Sequence, residues 1–164
     1  MLARAFDETL AVLVEAGYAV LVVVGFAQVL YRFVLESPLS WSEELIRYVF
    51  VWSVFLTAAI AFRHDLHIEV DFLTTWYPPR LRRAMALLAW ACVVLFVAVL
   101  FVLGTQLVLS PSVRLQKSPA MEIPMTLPYA AIPVGSALMM VNVLRAARRT
   151  WRGQARGDRP VEIV

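Results

Sequence analysis

The stretch WSEELIRYVFVWSVFLTAAIAFRHDLHIEVD, residues 41–71, decides the fold. Its middle, residues 48–62, carries no charge, whereas both ends are charged. About 20 consecutive apolar residues in a helix are long enough to cross a bilayer. The stretch therefore predicts a transmembrane helix over about residues 41–62, with polar groups at both of its exits.

The composition of the whole chain extends this prediction. Of the 164 residues, 61% are hydrophobic, and the mean hydropathy is +0.73. Soluble domains are usually about 45–50% apolar, so a soluble fold is excluded in favour of a membrane protein. We predict one all-α integral membrane domain over residues 1–164, with transmembrane helices at about 9–35, 41–62, 80–109 and 126–147. The single cysteine, Cys92, excludes an intrachain disulfide.

The connections carry recognisable helix signals. Ser40 and Glu43 have the spacing of a capping box at the start of the second helix. Polar and apolar residues alternate after residue 64, and we expect a short helix in the membrane interface near residues 71–77. Pro128 and Pro133 fall in the first half of the fourth helix and predict a kink there.

Small residues four apart allow two helices to approach closely in a membrane. Ala131 and Gly135 have this spacing in the fourth helix. We therefore expect a close helix contact at this pair.

The distribution of basic residues predicts the orientation. With both termini in the cytoplasm, eleven of the 15 basic residues lie inside and four outside. Cytoplasmic loops carry the excess of Lys and Arg, so we predict that both termini are cytoplasmic, with residues 148–164 as a flexible tail. This orientation also explains the pI of about 9.4 without a nucleic-acid partner. The four outside residues are Arg32, Arg47, Arg114 and Lys117.

Three polar residues lie within the predicted membrane helices. A carboxylate in a membrane is costly and is by default a candidate for function, which applies to Glu15. It either pairs at the interface, with another helix or with a partner subunit, or it couples transport to a cation or proton. Gln28 is a further polar residue in the first helix, and Gln106, late in the third helix, is most simply explained as a hydrogen-bond partner between helices.

The start of the second helix carries a polar cluster. Glu43 and Glu44 lie four and three residues before Arg47, and both spacings permit an ion pair. Trp41 beside them suits the membrane interface. The cluster is therefore either a cap with an interfacial ion pair or a patch that docks another protein.

The two histidines invite a haem or metal hypothesis, which the pattern disfavours. His64 and His67 lie together at one membrane edge, whereas a haem between two histidines needs imidazoles on facing helices. We expect no catalytic residue, no cofactor and no metal site. His67 is instead a candidate structural or partner contact, and so are Arg63 and Asp71.

Through the stretch at residues 41–71, the sequence resembles the small membrane subunit of tripartite ATP-independent periplasmic (TRAP) transporters, the DctQ-like family. The segment IPMTLPYAAIPVG, residues 123–135, is similar to the proline-marked start of the last helix in that family. Thr57 departs from the pattern, since family members often have glycine there. The residues that carry the first part of the resemblance are Trp41, Glu43, Glu44, Arg47, the run Ala58–Ala61, Arg63, His67, Ile68, Val70 and Asp71.

The resemblance implies a subunit of a sodium-coupled secondary transporter in the bacterial inner membrane. It implies a large membrane subunit that moves the substrate and a periplasmic binding protein that delivers it, typically an organic acid. The small subunit would support the large one in the bilayer. The partners expected are these two proteins and membrane lipid.

Two other functions remain open from the residues alone. One is a self-sufficient four-helix exporter that works as a dimer and in which Glu15 binds protons or cations. The other is a haem-carrying membrane anchor. The first requires transport by the isolated chain, and the second requires a haem absorption band.

Overall fold

The computed structural model describes residues 2–63 and 79–151. Four helices in this part are long and apolar enough to cross a membrane. The prediction of an all-α integral membrane protein is confirmed. In chain order the helices are α1 (Leu2–Phe33), α2 (Ser40–Arg63), α3 (Pro79–Leu109), α4 (Pro111–Leu115), α5 (Thr126–Tyr129) and α6 (Ala131–Trp151).

The predicted boundaries are close to the observed ones. α1 begins seven residues earlier than expected, at Leu2, and α6 extends four residues into the predicted tail, to Trp151. The predicted interfacial helix near 71–77 and residues 152–164 lie outside the described residues.

The four long helices stand side by side in the order α1, α2, α6, α3. α2 packs against α1 on one side and α6 on the other, and α6 packs in turn against α3. In the described part of the chain, each of the edge helices α1 and α3 therefore packs extensively against only one long helix. A small buried cluster of Ala59, Val97 and Met139 joins α2, α3 and α6. The middle of the row is consequently the best-packed part of the molecule.

Small residues let the neighbouring helices approach. A methyl group on Gly135 of α6 would lie 2.5 Å from Cβ of Phe55 in α2, and one on Gly17 of α1 would lie 2.6 Å from Oγ of Ser53. Ala131 is fully buried one turn before Gly135. The close contact predicted for this pair is therefore confirmed, and α2 is its partner.

The proline-marked region is interrupted where the sequence predicts. α5 ends at Tyr129 and α6 begins at Ala131, so the fourth membrane span consists of two helical pieces. The amide of Ala130 still donates to the carbonyl of Thr126 at 2.9 Å, which keeps the chain turning. Pro133 lies in the first turn of α6, where a missing N–H costs little.

The connection between α1 and α2 is tight. Glu36 has a φ of 50°, and the amide of Ser37 donates to the carbonyl of Tyr31 at 3.0 Å. The helix thus ends with a residue in the left-handed conformation after its last turn, as many helices do. Glycine usually fills that position, so Glu36 is strained there.

Candidate partner-contact site

A buried carboxylate fastens the beginning of α2 to a loop more than 70 residues away. Glu44 is only 9% exposed. Its Oε2 accepts hydrogen bonds from the Ser118 hydroxyl and, at 3.2 Å, from the Met121 amide, while Oε1 accepts from the Ala120 amide at 3.1 Å. A buried carboxylate must be satisfied in this way, because unpaired burial costs several kcal/mol.

The clamp loop, residues 116–125, is shaped to present those donors. Its ends pair as an isolated antiparallel bridge between Lys117 and Pro124. The Ser118 amide donates to the Ile123 carbonyl at 2.9 Å, and the Met125 amide donates to the Gln116 carbonyl at 3.0 Å. The resulting tight turn directs hydroxyl and amide donors at Glu44.

Two more side chains on the same face of α2 contact the last residue of the clamp loop and the chain just after it. The Tyr48 hydroxyl lies 3.4 Å from Sδ of Met125, and Nε1 of Trp52 donates to the carbonyl of Leu127 at 3.2 Å. Glu44, Tyr48 and Trp52 are four residues apart, so they form one stripe along the helix. This stripe fixes the start of the fourth span against α2.

Glu43 contacts α1, the other helix that packs against α2. Its Oε1 accepts a hydrogen bond from Nε2 of Gln28 in α1 at 3.2 Å. A second polar contact between these helices joins the hydroxyls of Tyr18 and Thr57 at 3.3 Å. Gln28 therefore makes a hydrogen bond between α1 and α2, a role that the sequence did not predict for it. Glu43, which the sequence places in a capping box with Ser40, instead reaches across to α1.

The remaining predicted residues are not brought into this site. Trp41 and Arg47 are exposed at the same end of α2, and Arg47 lies near enough to Glu44 to attract it electrostatically. Glu15 and Gln106 are exposed on the two edge helices, α1 and α3. Arg63 is the last residue of α2. His64, His67 and Asp71 lie outside the described residues.

The sequence did not point to Ser118 or to the clamp loop. The usable signal was weak: two adjacent carboxylates at a helix start that share one candidate cation, Arg47. A second unpredicted contact is the hydrogen bond from Nδ2 of Asn142 in α6 to the carbonyl of Ala59 in α2, at 2.8 Å. Both contacts join residues more than 70 positions apart, which no local pattern encodes.

An apolar crevice of about 680 Å³ lies where α1 and α6 both flank α2. Aliphatic side chains such as Leu10, Leu56 and Leu138 form most of its wall, and Met121 and Ile123 of the clamp loop close one end. A wall of this composition suits an apolar occupant and offers no charged group to bind an acid. Within residues 2–63 and 79–151, no three His, Cys, Asp or Glu side chains come together as a metal site.

Taken together, fold and site define a multi-pass membrane protein whose described polar contacts mainly join its own helices and loops. Comparison with known families agrees and is more specific. Residues 21–153 match the family described as "Tripartite ATP-independent periplasmic transporters, DctQ component". The chain belongs to this family and is a TRAP transporter small permease subunit, not an enzyme.

Several known proteins are similar to the chain. The C4-dicarboxylate TRAP transporter small permease protein DctQ of Rhodobacter capsulatus is 35% identical over 121 residues, covering 74% of this chain and 53% of that protein. The protein of the same name from Vibrio cholerae is 28% identical, covering 79% of this chain and 65% of the relative.

A third relative is much longer. The isethionate TRAP transporter permease protein DctMQ of Oleidesulfovibrio alaskensis is 27% identical over 139 residues, which are 81% of this chain but only 22% of that protein. The chain thus matches between about a fifth and two thirds of the length of these three relatives.

Proposed function

We propose that this chain is the small membrane subunit of a sodium-coupled transporter for the uptake of organic acids, and that it scaffolds a large transport subunit. The observation that carries the proposal is the open row of helices. The two edge helices expose most of their apolar side chains, including Val22, Phe26, Leu88 and Leu95. Long apolar helices with one close neighbour each are typical of a chain that completes its packing in a larger membrane assembly.

The match to a longer permease supports a large membrane subunit as the partner. In the DctMQ protein the matching segment is about a fifth of the chain, so a region like this one is joined covalently to a much larger permease sequence. The fusion of such a segment to a permease sequence in DctMQ suggests that this chain associates with a similar permease. We therefore propose that the partner of this chain is a large permease subunit.

The relatives also support an acidic substrate. The names of the similar proteins refer to C4-dicarboxylates, isethionate and sialic acid, all of which are acids or their anions. The described contacts of this chain supply no cationic pocket for such a ligand, since the crevice beside α2 is apolar. Substrate recognition therefore belongs to the large subunit and to a periplasmic binding protein.

We place the protein in the bacterial inner membrane with both termini in the cytoplasm, as the count of basic residues favours. The clamp loop and the exposed side chains of Trp41 and Arg47 then lie on the periplasmic side. This is the side from which a binding protein would deliver substrate, so these two side chains are our candidates for docking contacts. Arg63, His67 and Asp71 then lie at the cytoplasmic end of α2 as candidate structural or partner contacts.

The exporter alternative receives no support from the position of Glu15. Within the described part of one chain Glu15 lines no path between helices, because it is exposed on the side of α1 away from α2. A dimeric exporter would need it at the contact between two copies. The haem-anchor alternative depends on His64 and His67, which lie outside the described residues.

Reconstitution tests the proposed function. Proteoliposomes would contain the large subunit with or without this chain, with binding protein outside and a sodium gradient imposed. A C4-dicarboxylate, isethionate and sialic acid would be supplied in turn. We expect uptake of at least one acid only when both membrane subunits and sodium are present. Sodium-driven uptake by this chain alone, or full uptake in its absence, would overturn the proposal.

A further inference from the structure

One face of α1 combines a carboxylate with a continuous apolar surface. Leu10, Val14 and Gly17 face α2 or the crevice and are buried or half-buried. The opposite face, spaced at three and four residues, is exposed throughout. We call the part of this face that lies within the hydrocarbon the α1 edge; its members are Val12, Glu15, Val22 and Phe26.

Glu15 lies within the hydrocarbon depth. The candidate span Glu8–Phe33 has 26 residues and is about 39 Å long as a helix, against a hydrocarbon core of about 30 Å. Centring the span leaves Glu15 about 6 Å below the boundary, while Glu8 stays outside it. Glu15 is flanked on its own face by Val12 and Val22, which are 62% and 70% exposed. No described residue donates a hydrogen bond to it.

A carboxylate at this depth in the hydrocarbon needs another group to pair with. A charged side chain in a membrane almost always faces a protein interior and pairs with another group there. The other edge of the row offers a contrast. On α3 the corresponding exposed polar residue is Gln106, which is uncharged and only three residues from the end of its span at Leu109. We call the exposed face of α3 that includes Leu95, Val102 and Gln106 the α3 edge. The requirement for a cation therefore distinguishes the α1 edge from the α3 edge.

We propose that the α1 edge is the surface on which the large subunit docks, and that Glu15 pairs there with an Arg or Lys on an apolar helix of that subunit. The inference rests on the proposed function, because it takes the large subunit as the partner. Charge complementarity selects a basic residue. The apolar side chains around Glu15 select a membrane helix rather than a soluble protein.

Site-specific cross-linking tests the docking surface without altering Glu15. A photoreactive amino acid would replace Val22 or Phe26 on the α1 edge, and Leu95 or Val102 on the α3 edge as a matched control. The four variants would be irradiated in membranes that contain the assembled transporter. We expect adducts with the large subunit from Val22 and Phe26. Adducts from the α3 edge alone, adducts between two copies of this chain, or none from Val22 and Phe26 would overturn the docking surface.

A second measurement tests the carboxylate itself. Glu15→Gln keeps the shape and removes the charge, so the partner's cation would be left unpaired in hydrocarbon. We expect the large subunit recovered with the tagged chain to fall about tenfold or more. Glu8→Gln is the matched control, because this exposed carboxylate lies on the same helix but outside the hydrocarbon and outside the α1 edge, and it should leave recovery unchanged. Equal recovery with both variants would overturn the role of Glu15.

The two proposals fail differently. If the wild-type chain recovers the large subunit but cross-links to it only through other surfaces, the proposed function stands and this inference falls. If the wild-type chain recovers no large subunit at all, the proposed function falls as well.

Discussion

Glu44 and Glu15 are both carboxylates in apolar helices, yet the protein treats them in opposite ways. Glu44, in the middle of the helix row, is 9% exposed and receives three hydrogen bonds from the clamp loop. Glu15, at the α1 edge, is exposed among apolar side chains. The same contrast holds for glycine, since Gly135 touches Phe55 whereas Gly25 of α1 has open space around it. The middle of the row is thus built for the chain itself, and the α1 edge is left for a partner.

Removing the Glu44 carboxylate should have the largest effect on the isolated chain. Glu44→Ala leaves three loop donors without their acceptor, and we expect the free energy of unfolding to fall by about 3 kcal/mol. Unfolding in detergent followed by circular dichroism measures the change. Glu43→Ala is the matched control, because Glu43 is exposed and makes one bond to Gln28, and its cost should stay under about 1 kcal/mol. An equal loss for both variants would contradict the special position of Glu44.

A glycine pair sharpens the contrast between middle and edge. In Gly135→Ala the new methyl group meets Phe55 at 2.5 Å, so α2 and α6 must separate, at a cost of about 2 kcal/mol. Gly25→Ala has no neighbour within 4 Å and should stabilise the helix slightly, by up to about 1 kcal/mol. Thermal unfolding of both variants in the same detergent measures the difference. A destabilised Gly25→Ala would show that α1 has close neighbours that the row does not provide.

The clamp loop has its own test. Ser118→Ala removes one donor from Glu44 but leaves the two amides, so we expect a loss of about 1.5 kcal/mol, half that of Glu44→Ala. Ser112→Ala is the control, because this serine is exposed in α4. In the Glu44→Ala background the Ser118 substitution should cost less than in the wild type, because the hydroxyl then keeps only the hydrogen bond that it accepts from the Met121 amide at 3.3 Å. Additive losses in the double variant would show that the two side chains act separately.

The smallest effect is expected at the end of α1. Glu36 holds a φ of 50°, which glycine adopts without strain, so Glu36→Gly should stabilise the chain by about 0.5–1 kcal/mol. Ser37→Gly, one residue later, has no left-handed conformation to relieve and should be neutral or destabilising. The melting temperatures of the two variants, compared with that of the wild type, measure the change in stability. A lower melting temperature for Glu36→Gly would show that the Glu36 side chain contributes more than the backbone strain costs.

Much of this fold follows from the sequence because membrane helices are encoded locally. Apolar length fixed the four spans, and the prolines at 128 and 133 located the interruption before α6. The Ala131–Gly135 spacing predicted a close contact. The resemblance in residues 41–71 and 123–135 identified the family. These signals are all contained in short windows, so no knowledge of the tertiary arrangement was needed.

The order of the helices and the partners of the polar residues could not be read in the same way. The helices are apolar on nearly every face, so the pattern does not say which face meets which neighbour. Glu44 finds its donors 74 to 77 residues away, and Asn142 finds the Ala59 carbonyl at a distance of 83 residues. The sequence identified Glu15, Glu43 and Glu44 as candidate functional residues. Only the structure shows that Glu43 and Glu44 accept hydrogen bonds within the chain, whereas Glu15 is exposed.

The most direct test compares Glu15→Gln and Glu44→Ala in one experiment that reads out both folding and assembly. Each tagged variant is purified in mild detergent, its melting temperature is measured alone, and the large subunit recovered per folded chain is quantified. We predict that Glu15→Gln melts like the wild type but recovers about tenfold less large subunit, whereas Glu44→Ala melts at a lower temperature. A Glu15→Gln chain that recovers the large subunit fully, or that is destabilised as much as Glu44→Ala, would contradict the division between a self-supporting middle and a partner-facing edge.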